Sequence, residues 1–189
     1  MTGGDAGKSD AALVSEALAG GKGAFTALVR RHQEPIYRFV RRYVGDADEA
    51  YDLVQETFVA AWEALARFDS AHSAGGWLRR IALNKCRDWS RRRAVRHFFY
   101  RARDIDAPAT NVASETTDQT AALGERERVL ARLDAAIAAL PASLKEPLIL
   151  TVFDGLSQQA AAAILGITAK AVETRIYRAR QILGRTLND

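Results

Sequence analysis

The chain has 189 residues, 48% of them hydrophobic and 26% charged, with a net charge of +4; this suits one large or two small globular domains and excludes wholesale disorder or a fibrous repeat. No run approaches the roughly 18–20 uncharged apolar residues of a membrane span, and MTGGDAGKSD at the start lacks the apolar core of a secretion signal, so a cytoplasmic protein without membrane insertion is expected. A single cysteine, Cys86, and scattered His32, His72 and His97 offer neither an internal disulfide nor zinc-ligand spacing, and no metal or cofactor is expected.

Long stretches rich in Ala, Leu, Arg and Glu, with little β-branched alternation, predict an all-α fold. A short helix over about residues 10–19 ends at Gly20-Gly21, and a second runs from about Gly23 to Val44. Gly45 closes the second and Asp46 caps the third. The third, about 46–68, sets Val54, Phe58, Ala61, Trp62 and Leu65 on one stripe expected to be buried, and Asp52, Glu56, Val59 and Glu63 on another that is mostly acidic. The fourth, about Ala74 to Arg93, turns Leu78, Ile81, Ala82, Cys86 and Trp89 inward and Arg80, Asn84, Arg87 and Arg91 outward. From about Ala94 to Thr120 the chain holds Pro108 and the polar run ATNVASETTDQT, the composition of a flexible linker. A helix from Ala121 is ended by Pro141, and the next reaches Phe153, with Gly155 as its stop; Pro147 must lie in the first turn of that helix or kink it. Ser157 caps a short helix to Leu165, Gly166 breaks it, and Thr168 caps a last helix with the apolar stripe Val172, Ile176, Ala179 and Leu183.

The expected architecture is therefore two small helical domains, 9–93 and 121–187, joined by a linker over 94–120. The second is a four-helix domain, and each is long enough to fold alone. The small net charge conceals strong segregation. Residues 46–69 carry −6, 77–103 carry +9, 104–128 carry −4 and 156–189 carry +3. One acidic and two basic surfaces follow.

Two helices joined by a short turn containing Gly166, the second rich in Arg, have the signature of a helix-turn-helix. An ordinary helical hairpin with a solvated basic face is the alternative, and the coincidence of caps, break and stripe argues against it. Ala169, Lys170, Glu173, Thr174, Arg175, Tyr177 and Arg178 lie off the stripe, where a major groove would meet them. The Trp77–Arg93 helix combines arginines with aromatics and Asn84, a mixture that suits single-stranded or melted DNA. For Trp77 and Trp89 themselves, core packing is the simpler role. The acidic stripe has no neighbouring base, nucleophile or metal ligand that would make it catalytic. It reads either as a solvated face or, with Gln55, as a protein-docking surface. Cys86 reads as a small buried hydrophobe.

At DLVQETFVAAWEALARFD (52–69), WLRRIALNKCRDWSRRR (77–93) and LPASLKEPLILTVFDGLSQQAAAAILGITAKAVETRIYRARQIL (140–183), the chain resembles the extracytoplasmic-function sigma factors of bacterial RNA polymerase. The resemblance covers both domains in order. It implies that the acidic helix binds the polymerase clamp through Asp52, Gln55, Glu56, Val59 and Glu63, with Phe58 supporting the fold beneath. It implies minus-ten recognition and melting by Trp77, Arg80, Asn84, Lys85, Arg87, Arg91, Arg92 and Arg93, with Asn84 near the pocket for a flipped base. It further implies minus-thirty-five recognition by Ser157, Thr168, Ala169, Lys170, Glu173, Thr174, Arg175, Tyr177 and Arg178, while the second domain contacts the polymerase flap. An anti-sigma factor is an implied partner, and the acidic linker is expected to run toward the RNA exit path.

Two positions depart from the family pattern. Ala160 stands where a Glu would complete a capping box, leaving Ser157 as the side-chain cap at a cost of about 0.5–1 kcal/mol. Glu173 stands where a basic residue is common, which points to altered base preference, since a carboxylate accepts from cytosine N4 but repels phosphate. A sigma-like decoy that captures an anti-sigma factor without touching DNA is the second reading, and the full set of arginines with Asn84 argues against it. A stand-alone repressor would leave the first domain unexplained. No clustered acid, base, nucleophile or phosphate loop suggests an enzyme or a small-molecule substrate.

Overall fold

The computed structural model describes residues 7–21, 23–70, 72–103 and 124–188, and the regular structure among them is entirely helical. Helix α1 (Asp10–Leu18) starts where the Ser9 hydroxyl accepts from the Ala12 N–H at 3.2 Å. Its Leu13, Val14 and Ala17 are buried with Ala24, Leu28, Leu65 and Ala74 in a small cluster at one end of the molecule. Asp10 ties α1 to the next helix by accepting from Arg31 at 2.5 Å and pairing with His32 at 2.7 Å.

Helix α2 (Ala24–Val44) buries Ile36, Phe39, Val40, Tyr43 and Val44 and ends at Gly45, whose φ of +82° closes the helix without a side-chain clash. The Asp46 carboxylate then accepts from Glu49 N–H at 2.9 Å and opens α3 (Ala47–Ala64). That helix tightens into a single 3-10 turn over Leu65–Arg67, so the α-helical part ends at Ala64, short of the expected residue 68, and the end is differently wound.

Helix α4 (Ala74–Arg103) continues well past Arg93. The first part of the expected linker is therefore helical: with no glycine or proline between Trp77 and Pro108, polar and basic side chains propagate a helix as readily as apolar ones do. Residues 104–120, the rest of that linker, lie outside the described residues, as do residues 121–123 of the helix expected from Ala121.

The second group comprises α5 (Glu125–Ala139), α6 (Ala142–Leu148), α7 (Gln158–Leu165) and α8 (Ala169–Asn188). Pro147 falls late in α6, not in its first turn, and the chain widens directly after it into a π-helical turn over Ile149–Phe153. Proline cannot donate to the preceding turn and its ring pushes that turn away, which accounts for the widening. Thr151 holds the widened turn by donating its hydroxyl to the Pro147 carbonyl at 2.8 Å.

The core of the first group, from Ile36 to Trp89, and that of the second, from Ile137 to Leu183, are continuous. Gly45 sits at the seam. A Cβ at residue 45 would come within 2.9 Å of the Ala138 Cβ. We therefore expect Gly45→Ala to lower the stability of the whole chain by about 1–3 kcal/mol, through positive-φ strain and overpacking. Gly184→Ala, in open helix with nothing within 4 Å, should raise it by about 0.5–1 kcal/mol. Urea denaturation of both variants checks the contrast.

Candidate functional site

Three helical faces carry the chemistry. On α3, Asp52, Gln55, Val59 and Glu63 are exposed, while Glu56 is half-buried and pairs with Lys85 of α4 at 3.3 Å. The acidic stripe borders an open apolar groove lined by Phe25, Gln55, Phe58, Val59 and Trp62. Trp62, expected in the buried stripe, is instead 55% exposed and leans edge-on against Phe25 with ring centroids 5.0 Å apart. Phe58, Ala61 and Leu65 fill the space on that face, and an indole four residues beyond Phe58 lies at the rim. Val54 is half-buried. Acid beside an exposed aromatic and an exposed valine makes a mixed acidic and apolar surface, and neither Trp62 nor Phe25 was legible as part of it from helical periodicity.

On α4 the inward side chains Leu78, Ala82, Cys86 and Trp89 are buried and Ile81 is half-buried; Leu83 joins them. Trp77 is half-buried against Phe68, 5.1 Å between centroids. The buried Trp89 indole donates to the Glu49 carboxylate at 2.7 Å, and Arg93 lies over its ring at 5.2 Å. Cys86 has no exposure, and burial pushes its thiol pKa well up, so it is an inert hydrophobe. Asn84, Arg91 and Arg92 are exposed, Arg91 beside Asp88.

The outward row is not uniformly solvated. Arg80 donates to the Ala163 carbonyl at 2.5 Å, and Arg87 grips Glu146 with two hydrogen bonds of 2.8 and 2.6 Å. Arg79, which periodicity did not single out, donates to Asp154 at 2.6 Å. The acceptors all belong to α6, the turn after it, and α7. Nothing in the local pattern of α4 reveals that a second domain lies over this row. The sequence clue is Lys145-Glu146, a charged pair set against the apolar run from Pro147 to Phe153.

Lys145 is itself buried: its ammonium donates to the backbone carbonyls of Tyr43 at 3.0 Å and Ala138 at 2.6 Å and lies 4.5 Å from the centre of the Tyr43 ring. Burial and the neighbouring Glu146 push the Tyr43 phenol up, so it stays protonated, and its hydroxyl donates to Glu146 at 3.4 Å.

In the helix-turn-helix, Ser157 accepts from Ala160 N–H at 3.1 Å, so the first helix is capped without a capping-box glutamate. Gly166 takes φ +68° and Thr168 accepts from Ala171 N–H at 3.1 Å. Val172, Ile176, Ala179 and Leu183 are buried. Lys170, Glu173, Thr174, Tyr177 and Arg178 are exposed together, while Ala169 and Arg175 are half-buried. Lys170 and Glu173 pair at 2.8 Å, so the carboxylate that departs from the family pattern has its charge offset one turn away.

Residues 28–96 match the family described as Sigma-70 region 2, and residues 130–183 match Sigma-70, region 4. The chain is 42% identical over 175 residues, 90% of each chain, to RNA polymerase sigma factor NccH of Alcaligenes xylosoxydans xylosoxydans. It is 38% identical over 187 residues, 95% of each chain, to RNA polymerase sigma factor CnrH of Cupriavidus metallidurans. The chain belongs to the extracytoplasmic-function sigma factors of bacterial RNA polymerase. Among solved structures, CnrH in complex with the cytosolic domain of CnrY aligns with a TM-score of 0.71 and 33% identity, covering 96% of this chain and 98% of that one. The sigma factor RpoE in complex with the anti-sigma factor NepR from Bartonella quintana aligns with a TM-score of 0.68 and 25% identity, over 88% and 98% of the two chains.

Region 2 of this sigma factor thus runs from α2 into α4 and region 4 from α5 to α8, and the buried polar joint lies between the two regions. Burial lowers the Lys145 pKa from 10.5 to about 8. Above that value the folded chain releases a proton that the unfolded chain retains up to its ordinary range. The contribution of Lys145 to stability therefore rises from about pH 8 toward 10.5, and the full penalty applies below 8. Between about pH 7.5 and 9.5 the urea midpoint of the wild type should rise relative to that of Lys145→Met, whose midpoint lacks this component.

Proposed function

We propose that this sigma factor docks on the polymerase clamp through α3, opens and reads the minus-ten element with α4, and reads the minus-thirty-five element as duplex with the exposed face of α8. The observation that carries the reading is the division of chemistry among three helices. The acidic and apolar groove, the arginine row and the helix-turn-helix are separate surfaces, and each suits one partner. Exposed Asp52, Gln55, Val59 and Glu63 beside Trp62 offer a protein both charge and an exposed aromatic anchor. Arg91, Arg92 and Arg93 offer phosphate neutralisation next to Asn84, which can bond a base edge. Lys170, Glu173, Thr174, Tyr177 and Arg178 offer donors and acceptors at groove height. Region 4 also contacts the flap.

The protein works as a cytoplasmic specificity subunit and performs no chemistry itself; among the described residues no helix is long and apolar enough to cross a membrane. CnrH and the Bartonella quintana RpoE have each been solved with a partner, CnrY and the anti-sigma factor NepR respectively. An anti-sigma factor acting on this chain is the corresponding expectation.

Trp62→Ala should weaken binding to core polymerase about tenfold or more while leaving the urea midpoint nearly unchanged, because the side chain is largely solvent-facing; fluorescence anisotropy of labelled sigma factor with core enzyme measures it. Replacing Arg91, Arg92 and Arg93 by Ala should leave core binding intact and cut promoter-specific transcription by reconstituted holoenzyme at least about tenfold. Unchanged transcription would contradict the role given to α4 and favour the decoy reading.

A further inference from the structure

Glu173 is the one acid on α8, set against Lys170 and four arginines. A carboxylate on a helix that meets duplex DNA is repelled by the phosphates, so it weakens binding wherever it does nothing else. Here it is neither buried nor used to hold the fold. Its side chain is 53% exposed, and the hydrogen bond it accepts comes from Lys170 at 2.8 Å, whose own side chain is 81% exposed. The other polar groups near the start of α8 are already occupied. The Ser157 and Thr168 hydroxyl oxygens accept from the Ala160 and Ala171 N–H groups, and the Thr174 hydroxyl donates to the Lys170 carbonyl at 2.9 Å. Ala169 brings no polar side chain, and Arg175 is half-buried. Discrimination between base edges at this end of the helix therefore falls to Lys170 and Glu173.

The chemistry of the pair selects its base. An ionised carboxylate only accepts, and in the major groove only cytosine N4 and adenine N6 donate. Adenine sets the N7 lone pair beside N6, where it repels a carboxylate, whereas cytosine has only a C–H beside N4. Lys170 carries three donors and uses one on Glu173, while the guanine opposite a cytosine presents O6 and N7 as acceptors. An acceptor and a donor held 2.8 Å apart thus match the N4 donor and the O6 acceptor that lie side by side in one cytosine-guanine pair.

We propose that Lys170 and Glu173 together read a single cytosine-guanine pair of the minus-thirty-five element, Glu173 accepting from cytosine N4 and Lys170 donating to the guanine edge. This rests on the reading of α8 given above. The position where this chain departs from the family pattern becomes the source of its own base preference. Lys170 has two parts in it: it holds the carboxylate in place, and it offsets the phosphate repulsion that a lone glutamate would bring.

The test uses holoenzyme reconstituted from core polymerase and the full chain. The probe is a pool of linear DNA duplexes randomised around minus thirty-five and around minus ten, and the bound fragments are sequenced. Wild type should enrich cytosine over every other base at least about fivefold at one minus-thirty-five position, the lower end of what a good base contact contributes. Glu173→Gln should move that position alone to adenine, because an amide pairs with adenine N6 and N7. Glu173→Ala should flatten it, and Lys170→Ala should weaken the cytosine preference there; both side chains are exposed, so the fold is kept. A profile that Glu173→Gln leaves unchanged overturns the proposal. So does a uniform gain in affinity for all sequences, the mark of relieved phosphate repulsion and nothing more. Alanine at Thr174, Tyr177 and Arg178 together separates this from the reading it rests on. If that variant loses the minus-thirty-five preference while Glu173→Gln changes nothing, the pair alone fails; if neither changes it, the assignment of α8 fails as well.

Discussion

A carboxylate can leave water only when other groups meet its charge, and Glu146 is met almost wholly from outside its own domain. Two donors from Arg87 and the Tyr43 hydroxyl surround it, and Tyr43 is held in turn beneath the Lys145 ammonium. Removing one member would strand the others, at a cost that for buried pairs runs to about 3–5 kcal/mol, reduced here because Arg87 is 38% exposed. Much of the remaining geometry follows. Pro147 and the widened turn after it carry Phe153 under Arg42, 4.5 Å from ring centre to guanidinium, and set Asp154 within reach of Arg79. Gly45 allows α2 and α5 to approach closely enough for these contacts to form.

Within the first domain the acidic and basic helices are neighbours, and their opposition is structural as well as functional. Glu49 of α3 receives the Trp89 indole and Glu56 pairs with Lys85, so the inner edge of the acidic face is spent on α4 while its outer edge stays in solvent. The acidic groove of α3 and the arginine face of α4 are consequently tied to one another by shared side chains. A movement of α4 on binding DNA would be felt at the acidic groove.

Local chemistry made most of the helices legible. Asp46, Ser157 and Thr168 each cap where a small polar residue precedes an apolar pattern, and Gly45 and Gly166 each close a helix in the left-handed region. The stripe of α8 is buried as its period requires. Where the sequence misled, the missing information was non-local. The polar run after Arg93 looked like tether because composition reports solvation, and a solvated segment can still be helical. Trp62 looked buried because period alone does not say how wide the opposing surface is. Arg80 and Arg87 looked solvent-facing because α6 and α7 approach them from more than fifty residues away.

The pairs that make the joint are split between the two family regions: Arg42 with Asp134, Arg79 with Asp154, Arg87 with Glu146, and glycine at 45 opposite alanine at 138. Each half carries one member, and none of these positions lies on the exposed face of α8. A chimaera that joined this region 2 to the region 4 of another sigma factor could keep every side chain proposed to read DNA and still lose the complementarity between its halves. Under that constraint a substitution at residue 146 would call for a matching change at residue 87.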